Sequence, residues 1–259
     1  MPRKPSVSLV IPVFNEEENI EHALEWAAES LLRHASEFEI IVVDDASTDR
    51  SALLVERAAA LDRHIRLLRH ATNRTLGGCL KTGFASASKD LVLYMDADLP
   101  FDPDALGKAI RALELTRADV IAGYRLDRTA EGLVRTVNSY LYNFLIGALF
   151  GWPHRDINFS FKLMRRGVLE AVELRAEGSL IDAELIVKAK NLGFAIQQLG
   201  LDYFPRTHGR STLSSAAVIR KILVELVRLY PDMRHPRRKA SVPSPAVAIV
   251  EPAGKILSP

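Results

Sequence analysis

Two short apolar runs in this chain end abruptly in acids, and no other feature constrains the fold as tightly. Leu91-Val92-Leu93-Tyr94-Met95 leads into Asp96-Ala97-Asp98-Leu99-Pro100, and Ile40-Ile41-Val42-Val43 leads into Asp44-Asp45. Continuous apolar runs of this length read as strands buried on both faces, the pattern of a parallel sheet covered by helices. The acids fall where each strand emerges, and ligands of open α/β sheets bind in the crevice beyond those strand ends. Alternation along an extended chain sends Asp96 and Asp98 to one side. Two convergent carboxylates repel unless a divalent cation lies between them and an anion, so the pattern reads as a metal-assisted site. The blander alternative makes Asp96 a helix cap and Asp98 a solvated turn residue. The second acidic strand end tips the balance toward a site.

The surrounding segments supply the rest of the sheet. Residues 7–13 read as a first strand, and Asn15 and Glu18 have capping-box spacing ahead of a helix on the stripe Ile20, Ala23, Leu24, Ala27 and Leu31. A strand over 39–44 is followed by Ala46-Ser47-Thr48-Asp49, an N-cap cluster, and a helix over 51–61. A strand over 65–68, a glycine-containing helix over 76–88, the strand bearing Asp96, a helix over 103–115 and a strand over 120–123 follow. These strand–helix alternations predict a parallel, Rossmann-like sheet with helices on both faces.

After Arg125 the alternation stops. Residues 131–152 read as an apolar helix with Arg135 at its start, either packed in the core or lying with one face in a bilayer. A strand over 158–165, a helix over 182–192 and an extended segment over 194–204 follow, then a basic loop with Arg206, His208 and Arg210. Residues 216–230 place Ile219, Ile222, Leu223, Leu226 and Leu229 on one helical face and Arg220, Lys221, Glu225 and Arg228 on the other. The chain therefore reads as one domain over 1–235, with 131–152 and 214–230 as candidate interfacial helices. Residues 236–259, rich in Pro, Ala, Ser and Val, read as a disordered tail.

Composition narrows the function classes. A formal charge of +2 over 259 residues is too mild to imply nucleic acid. The single Cys79 rules out an intramolecular disulfide framework and fits a reducing compartment. No secretory pattern precedes residue 7, and no run reaches the roughly 18 apolar residues of a membrane span, so the expectation is a cytoplasmic protein held peripherally at a membrane. Gly77-Gly78 with Lys81 and Gly83 lacks the Gly-Lys-Ser/Thr order of a phosphate loop, and helix packing is the better reading. An aspartyl-phosphatase nucleophile is also disfavoured, because that motif ends the first strand of its fold whereas this one ends the fourth.

The motif order carries a resemblance. Val10-Ile11-Pro12-Val13-Phe14-Asn15-Glu16, then Val42-Val43-Asp44-Asp45-Ala46-Ser47-Thr48-Asp49, then Met95-Asp96-Ala97-Asp98 resemble the opening of a family 2 glycosyltransferase with the GT-A fold. Gly123-Tyr124-Arg125, Asp156-Ile157-Asn158-Phe159-Ser160-Phe161-Lys162 and Arg206-Thr207-His208-Gly209-Arg210-Ser211-Thr212 are similar to segments of the polyprenyl-phosphate sugar synthases, typified by dolichyl-phosphate mannose synthase. The resemblance implies that Pro12, Phe14, Asn15, Glu16, Asp44, Asp45, Asp96 and Ala97 surround a GDP- or UDP-sugar, joined by Arg206 and Arg210 at its phosphates. It implies that Asp96 and Asp98 hold Mg²⁺ or Mn²⁺, which neutralises charge on the leaving nucleoside diphosphate. Asp98, Arg125 and Arg206 would then be catalytic. Arg125, Arg135 and Ser139 would meet the phosphate of a polyprenyl acceptor, with the helix after Arg135 along the membrane. Some members of the family require a small membrane protein as anchor. One departure stands out: the family has Gly-x-Ser-Lys after this Arg, and Thr212 replaces the Lys.

An acceptor phosphate is already an anion and needs no strong base for in-line attack, which inverts the anomeric centre. A sugar hydroxyl acceptor would need one, and Asp182 or Glu184 would supply it, Glu184 being the better candidate and Asp182 a solvated helix terminus. A nucleotidyltransferase and a non-enzymatic membrane-surface adaptor are more distant alternatives.

Overall fold

The computed structural model describes residues 4–98, 104–127, 133–151, 155–202 and 216–239. Four strands, β1 (Ser6–Val13), β2 (Glu37–Asp44), β3 (Ile65–Arg69) and β4 (Leu91–Tyr94), alternate with the helices α1 (Ile20–His34), α2 (Ser51–Leu61) and α3 (Thr75–Ser86). Then come α4 (Ala105–Thr116), β5 (Val120–Arg125), α5 (Leu133–Phe150), β6 (Lys162–Arg165), α6 (Arg166–Ala171), α7 (Ile181–Asn191), β7 (Ile196–Leu201) and α8 (Ala216–Arg234). The strands form a seven-stranded sheet in the order β3-β2-β1-β4-β6-β5-β7.

The expected parallel sheet is present with one exception. β6 pairs antiparallel with both β4 and β5, so it is inserted, reversed, between two strands that run the same way. Its first residue, Lys162, therefore lies at the same edge as the carboxyl ends of β1, β2 and β4, opposite Tyr94 and Ala122. The strand is shorter than the 158–165 read from sequence, and the short helix α6 follows it directly.

Alternation along each strand feeds two cores. Leu9, Ile11, Ile40, Val42, Leu93 and Met95 face α1, α2 and α4, while Val10, Ile41, Val43, Val92 and Tyr94 face α3, α5, α7 and α8. The stripe Ile20, Ala23, Leu24, Ala27 and Leu31 is the buried face of α1, as the periodicity predicts. The capping box is not formed. Helix α1 starts only at Ile20, after Asn19, because Asn15 adopts φ +55° and commits its side-chain oxygen to the backbone N–H of Thr48 at 2.8 Å.

The glycine cluster of α3 packs as expected. A Cβ at Gly83 would sit 2.3 Å from Val10, and one at Gly77 would sit 2.4 Å from the carbonyl of Ala176. Helix α8 packs on the second core through Ile222, Leu226, Leu229 and Met233, and its Glu225 accepts the N–H of Glu177 at 3.0 Å. Glu225 thus anchors the helix and does not belong to a solvated face. At the end of the described chain Lys239 donates its N–H to Ala171 at 2.8 Å, and Arg238 bridges Val172, so residues 236–239 of the expected tail are docked. Residues 240–259 lie outside the described residues.

Candidate active site

The order β2-β1-β4 makes the gap between β1 and β4 the switch point, where chain connections leave in opposite directions and a crevice opens at the carboxyl edge. Three loops meet there. The loop after β1 is stitched to the loop after β2 by side chains: Asn15 N–H donates to Ser47 Oγ at 3.0 Å, Glu16 N–H to Ser51 Oγ at 2.8 Å, and Glu17 N–H to Asp49 Oδ2 at 3.1 Å. Asp49 also accepts the N–H of Ser51 at 2.9 Å, so the predicted cap cluster serves both the start of α2 and the loop junction. Asn15, Ala46 and Thr75 all have positive φ, and all three lie at this edge. Non-glycine residues in that region store strain that surrounding structure must impose, a recurrent property of functional loops.

The carboxylates expected from sequence divide by environment. Asp44 is fully buried: its Oδ2 accepts from Arg69 Nε at 3.3 Å, and its Oδ1 has no hydrogen-bond partner. A buried acceptor left unmet is costly and marks a place where a ligand donor fits. Asp45 is buried too, and its carboxylate accepts from His70 Nδ1 at 2.7 Å and from the N–H of Arg74 at 2.8 Å. Phe14, directly after β1, is 48% exposed. Pro12 is half-buried in β1 and pairs with Val43.

Strand β4 ends at Tyr94, and Ala97 and Asp98 already turn. Alternation persists as far as Ala97, which buries its methyl with Met95 on the α1 and α4 side, leaving Asp96 on the same side as Tyr94. The Tyr94 hydroxyl lies 3.3 Å from Asp96 Oδ1. Burial, then the charges of Asp182, Asp96 and Asp98, push that hydroxyl well above the ordinary tyrosine range, so it stays a donor. The two carboxylates are hard oxygen donors at a half-buried strand end. They fit Mg²⁺ or Mn²⁺, which are held by one or two carboxylates together with substrate phosphates.

Behind Tyr94 lies a charged layer that sequence reading did not anticipate. Lys162 Nζ sits 5.4 Å from the Tyr94 ring centroid, donates to the Phe159 carbonyl at 2.7 Å and pairs with Asp182 at 2.5 Å. Asp182 is therefore a buried ion-pair member and not a solvated helix terminus; burial raises its carboxyl above the ordinary range against the opposing pull of Lys162. Arg125 is held by Asp156 through Nε at 2.6 Å and Nη2 at 3.0 Å, with its guanidinium over the Phe159 ring and its side chain only 8% exposed. Arg125 thus reaches the edge through a buried fork and not as an exposed cation. Tyr94 was detectable by its i, i−2 relation to Asp96. Nothing in the local pattern signals that Lys162 crosses to Asp182.

Glu184 is removed from this layer. It is fully buried and accepts the N–H groups of Arg175 at 2.9 Å and Ala176 at 2.8 Å, and Lys188 lies 2.7 Å away. These contacts hold the 175–176 segment against α7 and leave no oxygen directed at a substrate. Ser139 is half-buried on α5; the side chain of Arg135, and Arg206, Arg210 and Thr212 altogether, lie outside the described residues.

Comparison with known proteins decides the family. The sequence profile of glycosyl transferase family 2 matches residues 8–173, which include every loop of the crevice described above. The chain belongs to glycosyl transferase family 2. It is an enzyme that transfers a glycosyl group, on an α/β fold of the GT-A type. This family 2 glycosyltransferase is 29% identical over 238 residues to a dodecaprenyl-phosphate galacturonate synthase of Rhizobium johnstonii, covering 90% of this chain and 68% of that protein. It is 33% identical over 169 residues to an undecaprenyl-phosphate 4-deoxy-4-formamido-L-arabinose transferase of Proteus mirabilis, covering 64% of this chain but only 51% of that protein. Among solved structures, glucosyl-3-phosphoglycerate synthase of Mycobacterium tuberculosis in complex with Mn²⁺, UDP and phosphoglyceric acid superposes with a TM-score of 0.70 at 20% identity, over 87% of this chain and 78% of that one. At that identity the likeness shows the fold.

Proposed function

We propose that this glycosyltransferase moves a sugar from a nucleoside diphosphate to a polyprenyl phosphate at a membrane surface, by a single inverting displacement assisted by Mg²⁺ or Mn²⁺. One observation carries the choice of acceptor. Asp182 and Glu184, the carboxylates able to deprotonate a hydroxyl acceptor, are both buried in ion pairs and backbone hydrogen bonds. A phosphate acceptor needs neither. The relatives of Rhizobium johnstonii and Proteus mirabilis are named for polyprenyl phosphates, which supports the same reading.

The donor's nucleoside would occupy the cleft between the loops after β1 and β2. There the unmet Asp44 Oδ1 accepts a base or ribose N–H or O–H, and Phe14 covers the ring. Asp96 and Asp98 would hold the dication, with Tyr94 keeping Asp96 oriented. When bound, the dication supplies Lewis-acid stabilisation of the leaving diphosphate without proton transfer. Arg206 and Arg210 are proposed to complete the phosphate contacts, and Arg135 with Ser139 to receive the acceptor phosphate.

Two helices suit the lipid. Val137, Tyr140, Leu141 and Phe144 of α5 and Leu223, Val224 and Val227 of α8 are exposed, while the opposite sides of both helices are buried. Arg220, Lys221 and Arg228 stand exposed on α8 beside them. Apolar side chains flanked by cations suit an anionic bilayer surface. No helix among the described residues is long and apolar enough to cross a membrane, so these faces, with or without a small anchoring protein, would provide the attachment.

The test is transfer of radiolabel from GDP-mannose, UDP-glucose, UDP-N-acetylglucosamine and UDP-galacturonate to an organic-extractable product, with polyprenyl phosphate in detergent. Chelator, or Asp98→Asn, is expected to abolish the label. Transfer to a soluble saccharide that Glu184→Gln abolishes would overturn the reading.

A further inference from the structure

We propose that Asp45, His70 and Cys79 form a second cation site, separate from Asp96 and Asp98, that takes a thiophilic dication such as Zn²⁺. Three elements converge on it: Asp45 directly follows β2, His70 directly follows β3, and Cys79 lies in the second turn of α3. One donor atom from each lies within 4.8 Å of the other two. Zinc bonds to these donors span about 2.0–2.3 Å, so a common ion requires only modest convergence of side chains already in contact. Asp45 and Cys79 are each 2% exposed and the His70 side chain 6%, which excludes most of the water that would compete for the ion.

The donor chemistry selects the ion. A carboxylate, an imidazole and a thiol form a borderline-soft set suited to Zn²⁺ or Co²⁺, whereas Mg²⁺ prefers the all-oxygen pair Asp96 and Asp98. The outer partners that orient metal ligands are also in place. His70 Nε2 lies 2.9 Å from Thr82 Oγ1, and Arg74 donates its N–H to Asp45 Oδ1 at 2.8 Å. Such contacts fix the imidazole tautomer and the carboxylate orientation. Asp44, next in the chain, adds negative potential that the Cys79 thiol already feels.

His70 Nδ1 bonds to Asp45 Oδ1 at 2.7 Å, and the Cys79 thiol stands within 4.8 Å of the donor atoms of both. Burial, reinforced by Asp45 and Asp44, keeps that thiol protonated. On binding, the S–H bond breaks, an S–metal bond forms, and the thiol proton leaves to solvent. The imidazole coordinates through a ring-nitrogen lone pair, and nothing is oxidised or reduced.

Cys79 is the sole cysteine of the 259 residues, so any thiolate signal reports this site. The experiment is a Co²⁺ titration of the full chain followed by absorption. The expected result is a thiolate-to-metal charge-transfer band saturating at one equivalent. It should disappear in Cys79→Ala, weaken about 10-fold or more in affinity in His70→Ala, and persist in the Asp96→Asn, Asp98→Asn double variant. Zn²⁺ should also raise the melting temperature of the wild type but not of Cys79→Ala. Absence of the band in the wild type, or a band unchanged by His70→Ala, would overturn the proposal.

Discussion

Lys162 and Asp182 form a buried ion pair, 2.5 Å apart, at the point where the antiparallel strand β6 enters the sheet opposite Tyr94. Each is almost wholly removed from water. The pair fixes β6 to the start of α7 and places a cation beneath the tyrosine that touches Asp96. The site is thereby braced from the second core.

Breaking that pair should be expensive. Asp182→Asn leaves an uncompensated buried ammonium, and the expected loss is about 3–5 kcal/mol, read from the urea midpoint. The double change Lys162→Met, Asp182→Leu should recover most of it, because removing both charges also removes their desolvation cost. A double variant as unstable as the single one would show that the pair itself, not the stranded charge, holds this edge together.

Tyr94→Phe should leave the fold intact, since the ring remains beside Lys162, but should release Asp96 Oδ1 from its hydroxyl partner. Losing such an outer contact typically lowers metal affinity about 10–100-fold. Mn²⁺ titration followed by electron paramagnetic resonance measures this without reference to turnover. Unchanged Mn²⁺ binding would remove Tyr94 from the metal site.

Glu39 gives the molecule an acid limb. Burial acts to raise its carboxyl, but hydrogen bonds from the Ser8 hydroxyl, the Ser88 N–H and hydroxyl, and Arg66 outweigh it and hold the group below the ordinary glutamate value of 4.5. A depressed folded-state value means the stabilisation is fully present above the unfolded value and is lost as pH falls through the folded one. Wild type should therefore lose melting temperature progressively below the free-glutamate value. Glu39→Gln should melt lower at neutral pH and show a shallower acid limb. Parallel acid limbs in the two proteins would assign the effect elsewhere.

Ala46 occupies φ +62° in the turn after Asp45, where a Cβ is strained. Ala46→Gly should stabilise the chain by about 1 kcal/mol, measured by denaturant unfolding. Donor affinity should fall if the strain pre-organises the loop and stay level if it does not.

The edge carrying the site was legible in the sequence because it depends on local pattern. Apolar runs closing in Asp44 and Asp96 mark buried strands and the point at which each leaves the core, and the stripe from Ile20 to Leu31 marks the inner face of a helix. Both signals come from residues a few positions apart. The role of the loop after β1 was less legible: Asn15 has the spacing of a cap, yet its side chain meets Thr48, thirty-three positions on.

What the sequence determined by itself was most of the elements, the edge at which the acids gather and the family they indicate, since hydrophobic periodicity and motif order are properties of the linear chain. The tertiary structure alone decided that β6 runs backwards between β4 and β5, that Asp182 meets Lys162 while Glu184 turns to Lys188, and that Asp45, His70 and Cys79 come together. The physical reason is burial. A charged residue has the same letter whether solvated or enclosed, and only the packing of distant segments determines which opposite charge must accompany it out of water.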